Sequence, residues 1–239
     1  MDVQQIAPGL WRWTAPHPEW KPEKDKPGGW GQMVGSIYFE PPPDEPGATV
    51  LIDPLAPPIQ TPESGRFWTA LDADVMGRQL PVAILLGNWY HERSAQEIHD
   101  RYERRPGVQI WIHEEARRRV RCPVHHTFTD GQKLPGGVRA QYIGGLDDGE
   151  TVFHIPTARA IVSADALIGA GDGRVRVAPA SWAKETPAGQ GRYCAEFRAA
   201  LTRLLDLPVE MVLVSHGAPV LTDGRRALAE AIDQPAWGE

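Results

Sequence analysis

A chain of 239 residues, 41% hydrophobic and 23% charged, has the balance of one globular domain (residues 1–239) with a sizeable core, which excludes a disordered chain or a coiled coil. Acidic residues outnumber basic ones 31 to 25, for a net charge of −6, so no long-range field draws phosphate backbones and nucleic acid is not an expected partner. Two cysteines, Cys122 and Cys194, are too few for a disulfide framework.

The first ten residues show no basic cluster followed by an apolar run, and the longest aliphatic stretch, Val82–Leu86, is far short of the roughly 20 residues of a membrane-spanning helix. The expected setting is cytoplasmic, away from the membrane. Twenty-four glycines and 23 prolines fall mostly between short apolar runs, which favours many short elements. Strands are expected at residues 10–14, 33–39 and 49–52, the last two separated by the turn-forming Pro41 to Gly47 stretch. Phe67, Trp68, Leu71 and Val75 recur at helical spacing, and residues 82–86 then read as a fully covered strand. Ser94-Ala-Gln-Glu97 has the pattern of a capping box, opening a helix that runs to about Arg104 and stops before Pro106. A strand at 108–112 and a short helix around 114–120 follow, with Arg117, Arg118, Arg119 and Arg121 read as a solvated face. Further strands are expected at 138–143, 151–155, 160–163 and 174–178. An amphipathic helix carrying Tyr193, Phe197, Leu201 and Leu204, a strand at 211–214 and a helix near 225–232 complete the chain. Strands and helices alternate throughout, the pattern of an α/β layered domain.

Chemistry collects where buried strands end and loops begin, because the scaffold is rigid there and solvent can enter. Three segments qualify: Leu86-Gly-Asn-Trp-Tyr-His-Glu-Arg-Ser-Ala95, Ser163-Ala-Asp-Ala-Leu167 and Val214-Ser-His-Gly-Ala-Pro219. Each places a metal or proton ligand just past an apolar run.

In their order and spacing these segments resemble those of the metallo-β-lactamase superfamily of metal-dependent hydrolases. Thr49-Val-Leu-Ile-Asp53 is similar to the family's strand ending in Asp. Thr129 to Gly137 is similar to its turn before the central strand. Ser163 to Leu167 is similar to its Gly-Asp-Ala-Leu segment, whose Asp bridges two metals, and Val214 to Pro219 to the segment carrying its last metal-binding His. The resemblance implies an αββα sandwich of two mixed β-sheets flanked by helices, with the site at one edge.

The departures are as informative. Where the family has His-x-His-x-Asp-His, this chain has Asn88-Trp89-Tyr90-His91-Glu92-Arg93, and where the family has a further His, it has Leu146. Four histidine ligands are replaced, leaving Glu92, Asp165 and His216. A zinc site needs about four N, S or carboxylate donors, so three residues do not hold two ions. The expectation is a lost dinuclear site with no metal, in which the permanent charge of Arg93, whose planar fork suits Glu92 and Asp165, replaces the missing cation. The alternative is a shift of register that turns His91 inward to join Glu92, Asp165 and His216 around a single divalent ion, zinc, iron or manganese. His91, Glu92, Asp165 and His216 are thus the catalytic candidates, with Asn88, Trp89, Tyr90, Arg93, Leu146 and Trp30 around them.

His216 can equally be a core histidine bonded to Asp165. Cys122, His125 and His126 read as a plain loop, His154 as pointing to the less buried face of its strand, and His17, His99 and His113 as having no role. The segment from Pro16 to Trp30, with Trp20 and Trp30, suits a loop folded over a pocket that Trp89 also lines, and Trp182 to Pro187 suits a wall opposite. The functional expectation is a small-molecule binding protein or atypical hydrolase of unassigned substrate, with mononuclear metal-dependent hydrolysis as the alternative. A homodimer is a further form it can take, and β-lactam hydrolysis is not expected.

Overall fold

The computed structural model describes residues 1–43, 47–183 and 191–239. Among the described residues, twelve strands form one continuous hydrogen-bonded sheet, folded over on itself into two layers. Its first half holds β1 (Asp2–Ala7), β2 (Leu10–Pro16), β3 (Met33–Phe39), β4 (Thr49–Ile52), β5 (Val82–Leu86), β6 (Val108–His113) and β7 (His126–Phe128). The second holds β8 (Arg139–Tyr142), β9 (Thr151–Ile155), β10 (Ala160–Gly171), β11 (Arg174–Val177) and β12 (Met211–His216). The halves meet at the pair His216↔Val34 between β12 and β3. Each half is mixed: β4 to β7 run parallel while β3 is antiparallel to β4, and β12 is parallel to β10 while β9 and β11 are antiparallel to it.

The period-two alternation of side chains shows how the halves are stacked. Phe39, Ile52 and Leu85 of the first half share one buried cluster with Phe153, Val162 and Leu213 of the second, which is the layer between two packed sheets. Their alternate neighbours Tyr38, Leu51 and Ile84 face outward, onto Phe67 and Leu71 of α1 (Pro62–Arg78) and Ile98 of α2 (Ala95–Tyr102). Ile161 and Val212 likewise face Leu201 of α3 (Arg198–Arg203) and Leu228 of α4 (Gly224–Asp233). This is the expected αββα arrangement, with the two sheets joined along one edge.

Several local expectations are corrected. The Ser94 hydroxyl accepts from the Ala56 amide and does not cap α2, because the tertiary contact competes for the same oxygen. The expected helix at 114–120 is a single turn, Glu114–Ala116. His154 is buried: β9 lies between β8 and β10, and alternation puts His154 on the helix-covered face with Val152. Neither β1, whose residues are mostly exposed, nor β7, three residues long, is expected from the sequence, because neither carries an apolar run. Residues 44–46 of the Pro41 to Gly47 turn and 184–187 of the Trp182 to Pro187 segment lie outside the described residues. No helix is long and apolar enough to cross a membrane, among the described residues.

Candidate functional site

The carboxyl ends of β4, β5 and β12 and the middle of β10 converge at one edge of the sandwich. Asp53 follows β4 with a left-handed backbone, φ 49°, which Asp tolerates because its short polar side chain bonds locally. Its Oδ1 accepts from the Gly87 amide at 2.7 Å. Gly87 is required there, since a Cβ would lie 2.6 Å from Ala164 Cβ and 2.9 Å from Asp53 Oδ2.

After β5 the chain makes a tight turn, Trp89–Glu92, begun by Asn88, whose side chain accepts from the His91 amide. The turn sends the His91 ring inward. His91 Nδ1 lies 2.7 Å from Asp53 Oδ2, and Nε2 lies 3.2 Å from Asp165 Oδ1. From β12, His216 Nε2 reaches the same Asp165 oxygen at 3.0 Å. Ligand atoms of His91, Asp165 and His216 all lie within 4.8 Å of one another, the one such group among the described residues.

The structure separates Glu92 from this centre. Its carboxylate accepts the amides of Arg121 and Cys122 at 2.8 and 2.7 Å, because the inward turn of His91 points the next residue outward. Arg93 does not grip either carboxylate as the sequence suggested. Its backbone turns through φ 38°, and its buried guanidinium donates to the carbonyls of Gly35 and Asp53 and to Ser215 Oγ, with Nη2 at 3.3 Å from His91 Nε2. Leu146 is core, and Asn88 is fully buried beneath the site, donating at 2.8 Å to both Asp165 Oδ2 and Glu150 Oε2. Glu150 escaped the sequence reading, since the single signal is a carboxylate immediately before a buried strand.

Charge and burial set the protonation states. Burial and Arg93 press the His91 pKa down, but Asp165 and Asp53 outweigh them and raise it to about 9. Burial pushes the Asp165 carboxyl up, yet His91 and the hydrogen bonds with His216 and His91 hold it well below the usual carboxylate range. Burial, then Asp165, push Glu150 up to about 8 against the Asn88 hydrogen bond. His216 is lowered, chiefly by burial.

The centre opens into a cavity of about 910 Å³ lined by His17, Trp30, Tyr90, Arg119 and Trp182, with Lys21 and Lys24 at its rim. Trp30 and Trp182 pack on His216 at ring distances of 5.1 and 5.6 Å. The overhanging loop is pinned by three indole N–H groups, of Trp182, Trp237 and Trp20, on the successive carbonyls of Gly28, Gly29 and Trp30. Trp20 therefore anchors the loop, and Trp89 lies under Arg119 at 3.7 Å. His17, read as having no role, faces Trp30 at 5.1 Å and is held neutral, its pKa lowered to about 4 by burial and then Arg93. Arg119 is exposed, as the solvated face read for its run implies, and pairs there with Asp147 at 3.2 Å.

These donors fit one cation. Three protein ligands plus an open cavity is the layout of a catalytic site, and Asp53 behind His91 fixes the imidazole so that Nε2 faces the centre. His216 Nδ1 is buried with no hydrogen-bond partner, so the Nε2 face is where its polar contacts lie. A second ion finds no comparable set among the described residues, and Arg93 supplies positive charge beside His91.

No family model matches the chain. It is 28% identical over 194 residues to a hydroxyacylglutathione hydrolase of Ruegeria pomeroyi and 25% identical over 193 residues to that of Jannaschia sp.. Those matches cover 80% and 79% of this chain, which spans 65% and 64% of the length of these relatives. In structure it is similar to a metallo-β-lactamase family protein from Thermus thermophilus, with a TM-score of 0.60 and 19% identity over 95% of this chain and 79% of that one. A metallo-β-lactamase from Pontibacter korlensis gives 0.61 and 16% over 98% and 99%, and one from Pseudomonas aeruginosa in its mono-zinc form gives 0.58 and 10% over 97% and 94%.

Proposed function

Since the chain has the metallo-β-lactamase fold, we propose that it is a hydrolase of small anionic acyl substrates, esters or thioesters, built around one divalent cation. The observation that carries this reading is the convergence of His91, Asp165 and His216 within 4.8 Å at the floor of an open cavity.

His91, Asp165 and His216 would hold the ion. When bound, it supplies Lewis acidity, polarising an acyl carbonyl and lowering the pKa of a water. The chain's own residues do the rest. Asp53 accepts the Nδ1 proton of His91, which leaves Nε2 as the nitrogen that would give up its proton to a bound ion. Trp30 and Trp182 screen His216 from solvent, and Lys21 and Lys24 at the rim, beside Glu19, would meet the anionic end of the substrate, while Arg119 is already paired with Asp147. The hydroxyacylglutathione hydrolase name of the relatives supports acyl-thioester cleavage as the first chemistry to try.

One observation favours a competing reading, a metal-free binding site: Arg93 Nη2 stands 3.3 Å from His91 Nε2, where it supplies positive charge itself. Metal content after purification without chelator, followed by zinc titration and a panel of anionic and neutral thioesters, separates the two. Single-metal hydrolysis predicts one equivalent of metal, activity removed by chelator and restored by zinc, and a KM that rises at least several-fold in the Lys21→Ala/Lys24→Ala double variant for anionic substrates alone. A protein that binds no zinc at micromolar concentration and cleaves nothing in the panel overturns it.

A further inference from the structure

The expected ligand motifs leave Glu150 without a part, yet it is among the most enclosed polar groups of the molecule, with no exposed surface. Its position follows from an irregularity in β10. That strand pairs with β12 in register up to Ser163↔Val214 and resumes at Ile168↔His216, so residues 164–167 face a single residue, Ser215. Such a bulge re-aims a side chain, here Asp165, and leaves backbone amides without ladder partners. The amides of Asp165 and Ala166 both donate to Glu150 Oε1, at 2.9 and 2.8 Å, and the Leu167 amide donates to Ser163 Oγ at 3.0 Å.

The other Glu150 oxygen accepts from Asn88 Nδ2 at 2.8 Å. Asn88 Nδ2 also donates to Asp165 Oδ2, at 2.8 Å, while Asn88 Oδ1 accepts from the His91 amide at 3.1 Å. One carboxylate therefore ties down the backbone of Asp165 directly, its side chain through Asn88, and the turn that carries His91. Three N–H donors converge on two oxygens. A glutamine at 150 places its own NH2 against one of those donors in either orientation, and Asn88 cannot flip to help without surrendering the His91 amide.

We infer that Glu150 is a positioning residue: with Asn88 it fixes the bulge of β10 so that Asp165 Oδ2 is occupied and Oδ1 alone is presented to His91 and His216. It touches no substrate and binds no ion itself. The clamp belongs to the chain whether or not an ion is present, and only its consequence for cation affinity rests on the single-cation reading above.

The test uses the full chain carrying Glu150→Gln, with Asn88→Ala as a second variant that cuts the side-chain tether and the acceptor of the His91 amide but spares the hold of Glu150 on the Asp165 and Ala166 amides. In chelator-treated protein, the imidazole nitrogen and proton resonances of His91 and His216 should move in both variants while the far-UV spectrum is unchanged. Cobalt(II), used as the probe ion, should bind 10- to 100-fold more weakly, the range for removing an outer partner of a ligand, with an altered visible spectrum. Imidazole resonances that stay put in a folded Glu150→Gln protein, or in Asn88→Ala where the first variant does not fold, overturn the positioning role. If the parent protein binds no cobalt, the cation reading fails while the resonances still decide this inference.

Discussion

Asp53 Oδ2 lies 2.7 Å from His91 Nδ1, and both side chains are buried. The contact does two things: it opposes the penalty of burying a protonated imidazole, and it assigns the Nδ1 position of the ring to a proton. Asp53→Asn keeps the shape and removes the charge. Breaking a buried pair on one side costs about 3–5 kcal/mol, so urea unfolding should show a loss near the lower end, because Asp165 still faces the other nitrogen. The His91 pKa should fall from about 9 in the same variant, as burial and Arg93 then meet less opposition. A His91 titration that does not move in Asp53→Asn would remove Asp53 from its role.

Stability of the chelator-treated protein should fall as pH rises. A histidine raised in the folded state contributes its stability in full below its unfolded pKa of about 6.5 and loses it as pH climbs through the folded value. For His91 that window runs from about 6.5 to about 9. At 1.36 kcal/mol per pH unit the His91 contribution is on the order of 3 kcal/mol. Urea midpoints measured from pH 6 to 9.5 should decline steadily, and a flat profile contradicts the proton inventory of the site.

The sheet and the three strand ends were legible because period-two alternation and apolar runs are local properties. Asp165 and His216 each stand just after such a run, and the fold brings them together; Asp53, which the sequence offers only as the end of a strand, joins them through His91. His91 and Glu92 exchanged parts for a reason of one residue's rotation: the turn begun by Asn88 points alternate side chains in opposite directions, and a short turn carries no periodicity from which its phase can be read. Glu150 was invisible for a different reason. Its partners are amides freed by a bulge fifteen residues later, which exists only once β10 and β12 have paired. The carboxylate clamp expected of Arg93 does not form, since its acceptors are carbonyls and a hydroxyl contributed by β3, β12 and the residue after β4, partners that only the assembled sheet brings to it.

Glu92 supplies a control. Its carboxylate accepts two backbone amides and lies outside the His91, Asp165 and His216 group. Glu92→Ala should cost about 1–3 kcal/mol, the penalty for leaving such donors without a partner, and should leave zinc affinity within about twofold of the parent. A loss of zinc binding beyond tenfold in a folded Glu92→Ala protein would return this residue to the site.

Arg93 separates stability from affinity. Its guanidinium satisfies the carbonyls of Gly35 and Asp53 and the hydroxyl of Ser215, so Arg93→Gln should unfold about 3 kcal/mol more easily, in the range for removing one member of a buried charged network. The same change removes a permanent positive charge 3.3 Å from His91 Nε2. Like charges a few ångströms apart repel by several kcal/mol at an effective dielectric near 20, and even a fraction of that, once solvent and neighbouring carboxylates respond, amounts to tenfold in binding. Arg93→Gln should therefore bind zinc at least tenfold more tightly, measured by competition with a chromophoric chelator, while melting at lower temperature. Weaker zinc binding in a folded Arg93→Gln protein would mean that the guanidinium supports the cation site and does not compete with it.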